Sequence, residues 1–351
     1  MDSQIPIQDE WTTSAPDPIS DTAKDNFGIS YLFPYQRLVI SNILEAAAGL
    51  QSEAPSKQIV ILPTGAGKSL CFMLPSLMLQ GPTLVIFPLL SLISDQLRRC
   101  EDAGIGACRL VGGQSAAERR ELFSGIAEGG IKIVLTNPET ALSPGILPRL
   151  KECRFLHLVF DEVHTIPEWG DSFRPACLES RRIFVEAEIP IVTAFTATAS
   201  DMVLGRVKEI LFPDEHPHIV SANPDRPNIS YTVLPSLCKN LSLELLLAGS
   251  GSGSGSGKST HRLNNLEEYS PAKLVKRPVL IFCSSRRSAE RTALEMRLRL
   301  NDNEIFFYHA GLSREEKTRI EKWFHCSTDG ILSATIAFGM GQASYVKSIL
   351  L

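Results

Sequence analysis

Residues 62–70 read LPTGAGKSL, and further along residues 159–164 read VFDEVH. The first stretch follows QIVIL, Gln58 to Leu62, an apolar run rich in β-branched residues that predicts a buried strand. Gly65 and Gly67 let the backbone turn tightly and aim N–H groups inward. Lys68 offers a point charge for phosphates, and Ser69 offers a hydroxyl for Mg²⁺. The apolar stretch Ser69–Leu79 predicts a helix whose N-terminus faces that anion. Thr64, Gly65, Ala66, Gly67, Lys68 and Ser69 are therefore the predicted phosphate cradle. The strict pattern asks for glycine where Leu62 stands, so the strand–loop–helix context carries this reading.

The second stretch closes another buried run, FLHLVF, Phe155 to Phe160. That strand delivers Asp161 and Glu162 at its C-terminal end, the edge at which open α/β sheets bind ligands. Asp161 is the candidate Mg²⁺ partner through water, alongside Ser69. Glu162 is the candidate base that orients an attacking water. A lone Asp-Glu pair would read as a solvated loop. On a buried strand, in a chain with a phosphate loop, it implies a site that hydrolyses ATP.

A second near-match shows how little the pattern means without its context. Residues 257–260 also spell GKST, but they close a Gly/Ser alternation running from Gly249. No strand precedes them and no apolar helix follows, so a flexible linker accounts for them and no phosphate role is assigned.

The chain has 351 residues, which predicts two domains, and 44% of them are hydrophobic, enough for real cores. Its net charge of −4 argues against a generally basic nucleic-acid binder. However, residues 1–26 hold six acidic side chains and one lysine, so the rest is close to neutral and phosphate binding falls to local basic patches. Eight cysteines occur without a C-x-x-C pair, which implies neither zinc nor a disulfide framework and suits a reducing interior. Residues 1–26 lack the basic start and apolar stretch of a signal peptide and read as a disordered acidic tail. The most membrane-like window, Leu70–Ile93, is interrupted by Pro75, Gly81, Pro82 and Pro88, so no membrane association is expected.

Strand-like runs at Gln58–Leu62, Thr83–Phe87, Ile131–Thr136, Phe155–Asp161 and Ile191–Thr196 alternate with helical patterns at Leu90–Ala103, Ala116–Ala127 and Asp201–Leu211. This alternation predicts an α/β fold with a parallel sheet wrapped by helices. A linker is expected over 234–275. A second α/β segment follows: Val279–Phe282, Arg286–Leu300, Ile305–Tyr308, Ser313–Phe324 and Gly330–Ala334.

Beyond these readings, the chain resembles the RecQ-type superfamily 2 helicases from about Phe27 onward, apart from the linker. The most diagnostic stretch is DEVHTIPEWGDSFRP, Asp161 to Pro175, similar to the family's acidic motif and the aromatic-rich loop that couples DNA contact to hydrolysis. RNA helicases of the DEAD-box type lack that loop. The resemblance implies RecA-like lobes: an ATP-binding domain over 27–233 and a partial C-terminal domain over 276–351. It implies an ATP-dependent 3′→5′ DNA helicase that uses ATP and Mg²⁺ on single-stranded and forked DNA, inside the cell and in the nucleus. Oligomeric state stays open.

The resemblance also assigns roles. FPYQ, Phe33 to Gln36, is similar to the motif that reads adenine through the amide of Gln36, with Phe33 and Tyr35 replacing the usual arginine and glycine. FPLLSLISDQ (87–96) and LTNPET (135–140) make Ser91 and Thr136 strand contacts. His164 transmits hydrolysis, FTATA (195–199) links it to lobe movement, and Trp169, Phe173 and Arg174 sense the strand. LIFCSSRRSAE (280–290), YHAGLS (308–313) and SATIAFGMG (333–341) make Ser284, Arg286, His309 and Thr335 further contacts. The residues after Gly341 depart from the family pattern, and the arginine-rich motif does not occur before Leu351. The expectation is a chain that binds ATP and DNA but hydrolyses slowly and unwinds poorly. A non-catalytic nucleotide- and DNA-binding remnant is the alternative from another class, and an RNA helicase is the third reading.

Overall fold

The computed structural model describes residues 17–49, 55–170, 174–222, 230, 232–248, 275–338 and 348–350. It divides into two compact units, Met1–Asn228 and Ile229–Leu351.

In the first unit the order is α1 (Pro18–Phe27), α2 (Pro34–Ala48), β1 (Lys57–Ile61), α3 (Leu70–Met78), β2 (Thr83–Ile86), α4 (Leu90–Asp102), β3 (Ala107–Arg109), α5 (Ala116–Ala127), β4 (Ile133–Thr136) and α6 (Pro138–Ala141). Then come α7 (Leu147–Glu152), β5 (His157–Phe160), α8 (Thr165–Gly170), a 3₁₀ turn (Pro175–Cys177), α9 (Arg181–Glu186), β6 (Ile191–Thr196), α10 (Asp201–Leu211) and β7 (His218–Ser221). The strands form one parallel sheet ordered β3-β4-β2-β5-β6-β1-β7. Successive side chains of a strand point to opposite faces. Thus Ile59, Leu84, Leu158 and Val192 enter one core, while Val60, Val85, Val159 and Ile191 enter the other. Helices cover both faces, which explains why β2, β4, β5 and β6 are buried at every position and mostly apolar.

In the second unit α11 (Lys239–Ala248) precedes β8 (Val279–Phe282), α12 (Arg286–Leu300), β9 (Ile305–Tyr308), α13 (Arg314–Cys326), β10 (Ile331–Ala334) and β11 (Ser348–Leu350). Its sheet is parallel with order β11-β8-β10-β9 and is again buried on two sides.

Two sequence expectations need correction. The tail read as disordered over 1–26 contains α1, with a proline in its first turn and Ala23 fully buried beside α3. Ile19, Ala23 and Phe27 recur every four residues and make a helical stripe, which the acidic composition masked. The span read as linker from 234 contains α11, whose Leu246 and Leu247 pack with Val279 and Met296. Residues 1–16, the Gly/Ser tract and the GKST sequence at 257–260 lie outside the described residues. Among the described residues, no helix is long and apolar enough to cross a membrane.

Candidate functional site

The loop between β1 and α3 turns through Gly65 (φ 85°) and Gly67 (φ 78°), both in the left-handed region that glycine enters without strain. Gly67 has a second reason to be glycine. A Cβ there would lie 2.4 Å from Nε2 of Gln36. Gln36 is buried near the start of α2; its Oε1 accepts from the Phe33 N–H at 3.0 Å, and its Nε2 donates to the Ala66 carbonyl at 3.0 Å. Its amide therefore ties the first turn of α2 to the phosphate loop. Sequence reading gave Gln36 a base-reading role and missed this brace. The aromatics replacing arginine and glycine form a ladder: Phe33 and Tyr35 stack at 5.4 Å, and Tyr31 meets Phe33 edge-on at 5.7 Å.

β1, β6 and β5 are neighbours in the sheet, so their C-terminal ends bring three motifs together. Lys68 Nζ lies 3.4 Å from Glu162 Oε1, and both side chains are largely shielded from solvent. Glu162 has φ 49°, unfavourable for a side chain with a Cβ. The surroundings fix it there. Its N–H donates to Asp161 Oδ1 at 3.0 Å, and its carbonyl accepts from both the backbone N–H (3.0 Å) and the hydroxyl (2.8 Å) of Thr165. Its Oε2 is buried without a hydrogen bond, 3.4 Å from His164 Nδ1. Burial pushes the Asp161 carboxyl up to about 6, helped by the neighbouring Glu162 charge and opposed by Lys68.

His164 joins the acidic motif to β6. Thr196 has one hydroxyl proton and gives it to the Thr198 carbonyl at 2.7 Å. The imidazole nitrogen facing Thr196 at 2.9 Å, Nδ1, therefore carries hydrogen and donates. Behind the loop, Cys71 is buried and its thiol is pushed up to about 12, so it stays a thiol.

The donor set fits a magnesium nucleotide. Ser69 and Asp161 offer hard oxygens, Lys68 and the glycine turn face the same edge, and the buried Glu162 oxygen still lacks a hydrogen-bond donor.

The remaining predicted residues divide. Arg174 holds Glu139 in a bidentate pair, with Nε and Nη2 each 2.6 Å from a carboxylate oxygen, and it also bonds the Pro88 carbonyl. It thus clamps the 87–96 and 135–140 stretches to each other, a contact that sequence reading did not foresee. Thr136 is fully buried and makes no hydrogen bond through its hydroxyl, so the structure does not place it on a binding surface as expected. His309 is also buried. It lies 2.8 Å from Glu290 through Nε2 and accepts from the Gly311 N–H through Nδ1 at 3.2 Å, the bonding of a positioning residue rather than an open strand contact. Ser284 and Arg286 are exposed beyond β8, and Thr335 is half-buried beyond β10. The side chains of Ser91 and Trp169, and the whole of Phe173, lie outside the described residues.

Residues 33–206 match the family model of the DEAD/DEAH box helicases. The chain is 29% identical over 294 residues to the ATP-dependent DNA helicase RecQ of Pasteurella multocida, covering 81% of this chain and 40% of that protein. It is 34% identical over 315 residues to the ATP-dependent DNA helicase hus2/rqh1 of Schizosaccharomyces pombe, covering 86% and 21%. The chain thus spans well under half the length of these relatives. Among solved structures it resembles the DUF1998 helicase MrfA bound to DNA and AMPPNP (TM-score 0.63, 16% identity, 96% of this chain and 47% of that one). It also resembles the helicase Lhr of Mycobacterium smegmatis bound to ssDNA and AMP-PNP (TM-score 0.60, 17% identity, 95% and 44%). At those identities the likeness speaks for the fold. With a phosphate loop and acidic motif meeting at one sheet edge, and RecQ helicases matching over most of its length, the chain is similar to the RecQ-type superfamily 2 helicases.

Proposed function

We propose that the chain binds ATP with Mg²⁺ at the β1–β6–β5 edge and couples hydrolysis to 3′→5′ movement along single-stranded DNA, opening forked duplexes. The observation that carries this reading is the 3.4 Å approach of Lys68 Nζ to Glu162 Oε1, which brings the phosphate-binding ammonium and the candidate base to one point. Lys68 exchanges the Glu162 oxygen for the β/γ-phosphates, and the main-chain N–H groups of 64–69 cradle them. Ser69 and Asp161 hold the metal through oxygen, and Mg²⁺, when bound, neutralises phosphate charge. Glu162, released from Lys68, accepts a proton from the attacking water. His164 carries the state of that site to Thr196 through their hydrogen bond. DNA rather than RNA is favoured by the relatives, which are named as DNA helicases, and by the loop at 161–175. Residues 27–233 are the proposed ATP-binding domain and 276–351 a proposed part of a second RecA-like domain. A nuclear address is proposed from the eukaryotic relatives.

The test is ATP turnover of this chain with single-stranded DNA, with RNA and with neither, for the parent and for Glu162→Gln and Lys68→Ala. The expectation is DNA-stimulated turnover that Glu162→Gln abolishes while nucleotide binding persists, and loss of nucleotide binding in Lys68→Ala. Turnover indifferent to Glu162→Gln sinks the site assignment. Stimulation by RNA alone sinks the DNA assignment. Binding with no turnover in the parent selects the non-catalytic alternative.

A further inference from the structure

A cavity of about 410 Å³ opens in the first unit, lined by Ala116, Arg119, Arg120 and Phe123 of α5 and by Gly145, Ile146 and Arg149 at the start of α7. The α5 residues fall at i, i+3, i+4 and i+7, so they form one face of that helix. The face is fixed by a capping box: Ser115 Oγ accepts from the Glu118 N–H at 3.2 Å, and Glu118 Oε2 accepts from the Ser115 N–H at 2.7 Å. Three guanidinium groups therefore converge on the same space. Arg149 lies over the Phe123 ring, its Cζ 5.6 Å from the centroid.

These arginines stand apart from others in the unit. Arg37, Arg98, Arg174, Arg182 and Arg206 each hold a carboxylate. Arg119, Arg120 and Arg149 form no ion pair among the described residues, and the Nε–H of Arg119 is buried with no acceptor. A guanidinium donor shielded from water without a partner is costly, and a cluster of like charges adds repulsion. An anion in the cavity relieves both.

The position says which anion. α5 starts just beyond the C-terminal end of β3, and the turn into α7 continues by hydrogen bonds from the 135–140 motif: Ser143 N–H to Thr140 O at 3.2 Å, then Ile146 N–H to Ser143 O at 2.9 Å. The cavity thus opens on the same sheet edge as Lys68 and Asp161. β4 is four strands from β1, or about 19 Å at the usual strand spacing, so it is not the ATP site.

We propose that Arg119, Arg120 and Arg149 bind successive phosphodiester groups of single-stranded DNA, extending its track past the 135–140 motif to the β3–β4 side of the sheet. The inference rests on the DNA reading above. Guanidinium forks suit phosphate oxygens, and the cavity is too wide for one phosphate alone.

The experiment measures anisotropy of a labelled single strand against salt concentration, for the chain and its Arg119→Gln/Arg120→Gln/Arg149→Gln variant, with fluorescent ATP analogue binding recorded in parallel. Three lost contacts make the slope of log affinity against log salt shallower by about 2, at about 0.7 per phosphate on a single strand. Nucleotide binding stays unchanged. An identical slope and affinity in the variant overturns the proposal while the DNA reading stands. No strand binding by the parent chain overturns both. Displacement of the strand by a free mononucleotide at equal phosphate concentration, lost in the variant, assigns the cavity to free nucleotide and overturns the strand assignment. Should the triple variant not fold, Arg120→Glu, at an exposed position, carries the same test.

Discussion

The same three strands carry two polar clusters, one inside the sheet and one at its edge. Inside, Gln58 of β1, Thr193 of β6 and His157 of β5 form a chain: Gln58 Nε2 donates to Thr193 Oγ1 at 3.2 Å, His157 Nε2 lies 3.0 Å from that oxygen, and Asn42 Nδ2 donates to Gln58 Oε1 at 3.1 Å. These groups are neutral and buried, and burial pushes the His157 imidazole down to about 3, so it stays uncharged. At the edge, Lys68, Glu162, His164 and Thr196 include formal charges, partial exposure, a left-handed glutamate and an unbonded carboxylate oxygen. The interior cluster is built to hold strands in place. Each cluster leaves one buried atom without a hydrogen bond, His157 Nδ1 inside and Glu162 Oε2 at the edge, but only the edge cluster carries formal charge and partial exposure beside its unused bonding capacity, which is what a ligand-binding site requires.

The largest expected contrast is Glu162→Gln. It lowers DNA-stimulated ATP turnover by roughly 10²–10⁴, the usual worth of a general base, with little change in melting temperature. Equal losses of turnover and stability would erase the distinction between the clusters. Acid comes next, and it acts on the interior. The folded state holds His157 well below its ordinary value of 6.5, whereas an unfolded chain takes up that proton. Its contribution to stability is therefore present above pH 6.5 and is lost as pH falls toward 3. Chemical denaturation across that window, with His157→Phe as control, should show a flatter acid dependence in the variant.

Thr193→Val follows. It leaves the Gln58 amide and the His157 ring short of a partner and costs about 1–3 kcal/mol of stability, with nucleotide affinity intact. Urea titration and ATP binding, run side by side, check both halves. The smallest effect belongs to Thr196→Val. It removes the acceptor for His164 and lowers DNA stimulation by about fivefold, the equivalent of one hydrogen bond of about 1 kcal/mol, while basal turnover holds.

What could be read from the residues followed from local periodicity. β6, α5 and α10 fall where the pattern puts them, and the phosphate loop and acidic strand end stand together as their motifs imply. β3 and β7 escaped because each is short and poorly buried: no residue of β3 is fully buried, and β7 buries only Val220 firmly. α11 escaped because its leucines sit beside a Gly/Ser tract whose composition dominated the segment. Long-range pairings were also hidden. Arg174 meets Glu139 across 35 positions and His164 meets Thr196 across 32. Such partners are chosen by sheet order, which periodicity does not encode. Gln36 was legible as important but not as a brace, because its acceptor is a main-chain carbonyl and leaves no side-chain signature.

The backbone of Glu162 separates two properties that usually travel together. An L-residue at φ 49° sits in a shape that glycine adopts freely. Exchanging it for glycine should make the molecule harder to melt while removing the proposed base. β-branched replacements should fail on geometry alone, before any question of acid or base arises. At this one position, then, sturdiness and the proposed chemistry oppose each other, and a screen that selects for heat resistance would discard the carboxylate.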